Sequence, residues 1–277
     1  MYSFLRFPGF RKKAITLSYD DGTVFDKRLV KLFDRFGLKA TFNLNSSAYG
    51  KRRRLSLEDA LALYKDSPHE IAIHGTEHFS LGEIPKAQGA WEILSDRRTH
   101  EKTYGRLVRG MAYANGSYDG KIIEILRHVG IAYARGVSST GKFDFPSDWL
   151  MWEPTCHHTH PRFFELVDEF LADKNATNFW QDKPRLFFLW GHSYEFEDGN
   201  LWGVIEDFSK KVGNREDIWY ATNIEVCDYV RAYDSLIWSA DGKTVYNPTA
   251  TMVYLSPYGQ NINLSPGESH TLENLYF

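Results

Sequence analysis

Short apolar runs alternate with longer segments of helical period along most of this chain. Runs such as Ala14-Ile15-Thr16-Leu17 and Ile71-Ala72-Ile73 read as buried strands. Strands are expected at Ala14 to Tyr19, Lys39 to Leu44, Glu70 to Ile73, Leu107 to Met111, Ile131 to Ala134, Arg185 to Trp190 and Asp217 to Ala221. Helical periodicity fills the intervals: Phe25 to Phe36, Leu57 to Tyr64 with Ser56 as N-cap, Lys86 to Tyr104, Lys121 to Val129, Arg162 to Ala172, Trp202 to Val212 and Ile224 to Tyr233. Strands joined through helices pair in parallel with right-handed crossovers. The predicted fold is therefore α/β, a distorted or partly open (β/α) barrel with mostly parallel strands.

From about Leu236 the rhythm changes. Ile237 to Ala240, a turn at Asp241-Gly242 and Lys243 to Tyr246 read as a hairpin, and Thr251 to Leu255 and Asn261 to Leu264 as two more strands. The expected organisation is a catalytic barrel over residues 1–235 and a small C-terminal antiparallel β appendage over 236–267, whose simplest role is to cover the barrel. Residues 268–277 end in Glu273-Asn274-Leu275-Tyr276-Phe277 and read as the remnant of a cleavage tag, set aside from fold reasoning.

Composition narrows the class. A length of 277 residues suits one large core, and 43% hydrophobic with 25% charged residues is ordinary for a soluble globular protein. A net charge of −3 provides no field for nucleic acid or an anionic membrane. No run of eighteen apolar residues predicts membrane insertion, and the start shows no signal peptide. As written the chain reads as cytoplasmic, with a trimmed secreted protein as the open alternative. Two distant cysteines, Cys156 and Cys227, support neither a disulfide framework nor a thiolate metal site.

The candidate chemistry sits where buried strands end, which in such folds is where ligand sites gather. Ser18-Tyr19-Asp20-Asp21-Gly22 closes one strand, His74-Gly75-Thr76-Glu77-His78 follows another, and Leu189-Trp190-Gly191-His192 ends a third. Taken singly, paired acids before glycine often make a turn or cap a helix, and two histidines four apart arise readily by chance. Their joint placement points to one divalent-metal site, with a spare carboxylate as base. If a helix begins at Gly75, His74 and His78 share a face and meet one ion. His157, His158 and His160 form a further cluster, best read as capping the helix after Pro161, with a second metal site or sugar contacts as alternatives. Lys51-Arg52-Arg53-Arg54 reads as a solvated loop.

These motifs resemble the polysaccharide deacetylases, the nodulation-protein-B homology group of carbohydrate esterases, over roughly residues 14–235. Asp20-Asp21 corresponds to the acids of the family's T-F-D-D-G motif and His74 to His78 to its H-S/T-x-x-H motif, with Gly75 where Ser or Thr is usual. The resemblance implies Asp20 as catalytic base, Asp21, His74 and His78 as metal ligands, and His192 as general acid. Asp148-Trp149 looks like the acid and tryptophan that flank the family's site, Asp148 being placed to hold His192. The family's R-x-P-Y motif is altered here to Arg109-Gly110-Met111-Ala112-Tyr113-Ala114-Asn115-Gly116. The arginine that orients Asp20 is then Arg109 or Arg135, and the oxyanion position falls at Tyr113 or Asn115. Both choices stay open.

The ligand set suits zinc first, with cobalt, nickel or iron as alternatives. Trp149, Trp152, Trp190, Tyr194 and Trp202 supply apolar faces of the kind that pack on sugar C–H groups. The expected partner is a carbohydrate substrate, and the expected activity removal of acetyl groups from an N- or O-acetylated glycan. A small-amide amidase and a catalytically silent carbohydrate-binding protein are the rival expectations.

Overall fold

The computed structural model describes residues 2–172 and 183–273. In chain order its strands and helices begin β1 (Leu5–Arg6), β2 (Lys13–Asp20), α1 (Asp26–Arg35), β3 (Ala40–Leu44), α2 (Leu57–Tyr64), β4 (Glu70–Ile73), α3 (Lys86–Tyr104) and β5 (Gly110–Ala112). They continue with α4 (Gly120–His128), β6 (Tyr133–Arg135), β7 (Cys156–His157), α5 (Phe163–Leu171), β8 (Arg185–His192), α6 (Ser193–Asp198), α7 (Trp202–Val212), β9 (Ile218–Tyr220) and α8 (Asn223–Asp234). Five short strands complete the chain: β10 (Ile237–Trp238), β11 (Thr244–Tyr246), β12 (Val253–Leu255), β13 (Ile262–Leu264) and β14 (Ser269–Thr271).

The main sheet runs in the order β6-β5-β4-β3-β2-β8-β7, with β9 against the first residues of β2, and all its strand pairs are parallel. It curls into a partly open barrel. An isolated parallel bridge joins Arg135 at the end of β6 to Trp152, a few residues before β7, so an irregular segment continues the sheet where the regular strands stop. Trp152 is 1% exposed, and it packs edge-on against Tyr133 and against Phe188 of β8.

β2 is buried along its whole length, as a central strand covered on both faces must be. Side chains alternate across a strand. Ile15, Leu17 and Tyr19 therefore meet the outer helices, packing with Leu29, Val30 and Phe33 of α1 and with Phe208 of α7. Ala14, Thr16, Ser18 and Asp20 share the opposite face, where Ala14 joins Trp152, Leu186 and Phe188. The same alternation sets Asp20 inside the barrel mouth, as the last residue of the strand.

Every predicted strand and helix is present, with no end shifted by more than three residues. Ser56 caps α2 by accepting from Asp59 N at 3.0 Å. Four elements were not anticipated: the short strands β1, β7 and β14, and helix α6. No described helix is long and apolar enough to cross a membrane.

The C-terminal residues form two small antiparallel sheets, β1-β12-β13 and β10-β11-β14. Pairing of Thr244 with Thr271 carries this part past residue 267, into the stretch set aside as a tag remnant. Residues 274–277 of that stretch lie outside the described residues. Leu5 of β1 pairs with Leu255 of β12, tying the appendage to the start of the chain.

Asp26, at the start of α1, is fully buried and accepts hydrogen bonds from Tyr64 (2.8 Å) and from Ser193. Burial raises its pKa from 3.8 to about 7, against the lowering effect of those two donors. The folded chain then holds a proton that the unfolded chain has lost, so stability declines as pH rises from about 4 to about 7. Asp26→Asn is expected to flatten that part of the stability profile. Urea unfolding of both proteins across this pH range checks it, and identical slopes would contradict it.

Candidate active site and metal centre

Asp20 stands at the mouth of the barrel with partners from three other strands. Parallel pairing places Asn43 of β3 and His192 of β8 beside it in register. Arg135, fully buried at the end of β6, donates to Asp20 Oδ1 at 2.5 Å and also to Oδ2. Asn43 Nδ2 donates to Oδ1 at 2.8 Å and to Ser18 Oγ at 2.8 Å. His74 Nε2 lies 3.7 Å and His192 Nε2 3.9 Å from Oδ2. Burial pushes the Asp20 pKa up, but Arg135, His74 and His192 outweigh it and hold the carboxyl well below the usual range.

Asp21 turns away from its neighbour because its backbone sits at φ +83°, in the left-handed region that few non-glycine residues adopt. Arg54 anchors that turn, donating to Asp21 O at 2.8 Å and lying 3.0 Å from its Oδ2. Asp21 Oδ1 is buried without a hydrogen-bond partner and faces two imidazoles, His74 Nε2 at 3.9 Å and His78 Nε2 at 3.7 Å.

Gly75 to His78 form a loop, not the start of a helix. Positive φ at Gly75 (+83°) and His78 (+63°) folds the chain back and brings the two rings to 4.7 Å between centroids. His74 Nδ1 lies 2.8 Å from Ala112 O, a contact that places the proton on Nδ1 and leaves the Nε2 lone pair toward Asp21. Burial and the neighbouring His74 lower the pKa of His78, which favours the neutral form a metal requires. An orphaned carboxylate oxygen and two imidazoles within 4.8 Å of one another suit a divalent ion.

Helix α3 braces this loop. Asp96 accepts from Ser46 N at 2.7 Å and from His74 N at 3.0 Å, and Glu92 accepts from Glu77 N at 2.8 Å. Glu92 and Asp96 are fully buried and four residues apart on one helix face. Neither stands out in sequence, because the buried face of α3 is itself largely polar, with His100 beside the two acids and Ile93 its only aliphatic residue.

His192 ends β8 and begins α6. Its Nδ1 lies 3.1 Å from Glu195 Oε2, which also accepts from His192 N at 3.0 Å. Burial pulls the His192 pKa down, but Glu195 and Asp20 pull it further up, and the net shift is upward. The carboxylate expected at His192, Asp148, is elsewhere. Asp148 accepts from Leu150 N at 3.0 Å as a local cap and pairs with Arg127. Glu195 takes that place because α6 carries it one helical turn past His192, a spacing visible only once the segment is helical.

The two candidate arginines lie in different surroundings. Arg109 makes a double hydrogen bond to Asp228, at 2.9 and 3.0 Å, and with Asp148, Arg127 and Arg231 lines a separate groove. Arg135 is the arginine on Asp20, and its guanidinium stacks 4.4 Å from the Trp190 ring. Tyr113 is buried, its N–H donates to Arg135 O at 3.0 Å and its hydroxyl to Leu150 O at 2.8 Å. Sheet pairing has therefore already taken the Tyr113 N–H considered for the oxyanion. Asn115 is exposed at φ +57° and donates to Ser80 Oγ at 3.1 Å. Trp149, Trp152 and Trp202 pack into the core, whereas Trp190 and Tyr194 lie against His192, with ring centroids 5.8 and 5.1 Å away.

Removing one member of a buried, hydrogen-bonded ion pair leaves a charge without compensation and costs about 3–5 kcal/mol. Arg135→Met is expected to lose about that much in denaturant unfolding. Adding Asp20→Asn should recover most of it, whereas additive losses in the double variant would show that the two residues are not coupled.

Residues 8–134 match the model of the polysaccharide deacetylase family. A comparison with the curated proteins gives no match. Among solved structures, a candidate polysaccharide deacetylase from Mycobacterium smegmatis shares the fold with a TM-score of 0.62 at 16% identity, over 83% of this chain and 94% of that one. Puue allantoinase does so with a TM-score of 0.62 at 12% identity, over 82% and 92%. Streptococcus pyogenes deacetylase PplD in complex with acetate aligns with a TM-score of 0.48 at 17% identity over 51% of this chain, which spans 63% of that protein's length. The match covers residues 8–134, which contain both acids of the first motif and both histidines of the second, and over that stretch the chain is similar to the polysaccharide deacetylase family.

Proposed function

We propose that the protein is a metal-dependent hydrolase that removes acetyl groups from an N- or O-acetylated glycan. One observation carries this reading: Asp20, Asp21, His74, His78 and His192 converge at the barrel mouth with the two acids in different roles. Asp20 is locked to Arg135, while Asp21 presents an orphaned oxygen to two imidazoles. A divalent ion held by Asp21, His74 and His78 would polarise the acyl oxygen and acidify a water, which Asp20 requires because Arg135 keeps its carboxylate a weak base. Zinc is the first choice for one carboxylate and two imidazoles, with cobalt, nickel and iron behind it.

Asp20 takes the proton from the attacking water and stays in place through its bonds to Arg135 and Asn43. His192 stands on the other side, with Glu195 on its Nδ1, and delivers a proton from Nε2 to the leaving nitrogen or oxygen. Its raised pKa keeps more of it protonated near neutrality. Trp190, between the Arg135 guanidinium and His192, is the aromatic face best placed to meet a sugar ring.

A small-amide amidase is the second reading. The backbone N–H of Tyr113 is bound to Arg135 O, so the altered third motif does not offer that N–H to an oxyanion. Allantoinase activity in a protein of this fold shows that the reading is open to test.

Acetate release from a panel of acetylated oligosaccharides, by chelator-stripped protein resupplied with zinc, cobalt or nickel, tests the proposal. Release only with metal is expected. Hydrolysis of small amides with none on the panel would replace it by the second reading. Asp20→Asn should abolish turnover while retaining the ion held by Asp21, His74 and His78, and His78→Ala should lose that ion together with turnover. His192→Gln is expected to lower kcat by about 10²–10⁴ and remove the alkaline limb of the pH profile. A fully active Asp20→Asn protein would remove that residue as base.

A further inference from the structure

A second cluster of ligand-type side chains lies on the far side of His192. β7 ends in His157, followed by His158, and both imidazoles turn toward Glu195. His157 Nε2 is 3.1 Å and His158 Nε2 3.3 Å from Glu195 Oε2, the oxygen that also holds His192 Nδ1. The three ligand atoms lie within 4.8 Å of one another. Around a tetrahedral zinc, N and O ligands at ~2.1 Å are separated by about 3.4 Å, close to these spacings. His160, read with them in sequence, turns instead to the next helix, where its Nδ1 accepts from Arg162 N at 3.2 Å.

His158 is the decisive residue. Its side chain is fully buried, stacked against Tyr19 and Phe196, and neither ring nitrogen has a hydrogen-bond partner. The 3.3 Å approach to Glu195 is near enough for an ion pair but is not aligned as a hydrogen bond. Burial, with His157 adding to it, lowers its pKa to about 3, so it is neutral in ordinary buffers. Space for the ring is built in, because a Cβ at Gly191 would come within 2.0 Å of His158 Nδ1. A buried imidazole without partners, aimed at a carboxylate, is costly unless something is bound there. His157 is oriented too: its Nδ1 accepts from Thr159 N at 3.2 Å, with the Thr159 hydroxyl 2.7 Å away, so Nε2 carries the proton toward Glu195 and gives it up when a cation takes its place.

We propose that His157 Nε2, His158 Nε2 and Glu195 Oε2 form a second divalent-cation site, separate from Asp21, His74 and His78. An ion there competes with His192 for Glu195. On the reading of His192 as general acid, the second ion is inhibitory, since it withdraws the acceptor that orients and charges the imidazole.

Zinc bound per full-length chain, measured by elemental analysis after equilibrium dialysis, tests the site without reference to turnover. Wild type is expected to hold two ions, and His157→Ala, His158→Phe and His78→Ala one each. His157 is only partly buried, so His157→Ala decides the matter if the core variant fails to fold. Two ions in His157→Ala, or one in wild type that His78→Ala loses, would overturn the proposal. One ion in wild type that His157→Ala loses and His78→Ala keeps would support this site and refute the first. In the acetate assay the second equivalent is expected to slow wild type by about tenfold or more. Binding of that equivalent with no loss of rate would overturn the competition with His192.

Discussion

The buried pair of Asp20 and Arg135 is the interaction on which the rest of the site depends. Two charges removed from water are tolerated only when their geometry is close and their remaining polar atoms are satisfied. Here the guanidinium reaches both carboxylate oxygens, Asn43 adds a further donor and Gly136 O accepts from Arg135 Nη1 at 2.9 Å, which leaves only Arg135 Nε of the guanidinium buried without a partner. The partners come from β2 at the centre of the sheet and β6 at its edge. Bringing them together requires the sheet to curl, and the Trp152 segment continues it on the open side. One contact therefore couples the closure of the barrel to the charge of its first acidic residue.

Adjacent acids acquire different chemistry from a backbone difference alone. Asp20 ends a regular strand and points inward, whereas Asp21 at φ +83° swings its carboxylate toward His74 and His78. Arg54 holds the turn from one side, and Glu92 and Asp96 hold the histidine loop from the other. Side chains carried on loops are here fixed by hydrogen bonds from rigid elements, which keeps their separations short.

Glu195 plays the corresponding part for the histidines. A single oxygen meets His192, His157 and His158, and of these His157 and His192 overcome burial and hold its pKa well below the usual carboxylate range. The acid end of the site and the second cluster are thus joined through one atom.

The barrel was legible in the sequence because its cause is local. Buried parallel strands are continuous apolar runs and their crossover helices carry a 3.6-residue period, so each element shows its pattern within its own residues. The placement of Asp20, Asp21, His74 and His192 followed from the same patterns, since each stands at or just past a strand end. Which polar groups touch was settled only by the tertiary fold. Arg109 and Arg135 are equivalent on paper, yet one precedes its strand and pairs with Asp228 while the other ends a strand and meets Asp20. Asp148 and Glu195 are both acids near aromatic residues, and only the helical turn after His192 selects Glu195. The loop over Gly75 to His78 keeps the two imidazoles together by positive φ rather than by helical spacing. Hydrophobic period is set by neighbours along the chain, whereas ion pairs and hydrogen bonds join residues far apart in it, Asp20 and Arg135 by 115 positions and Asp26 and Ser193 by 167, and exist only once the chain has folded.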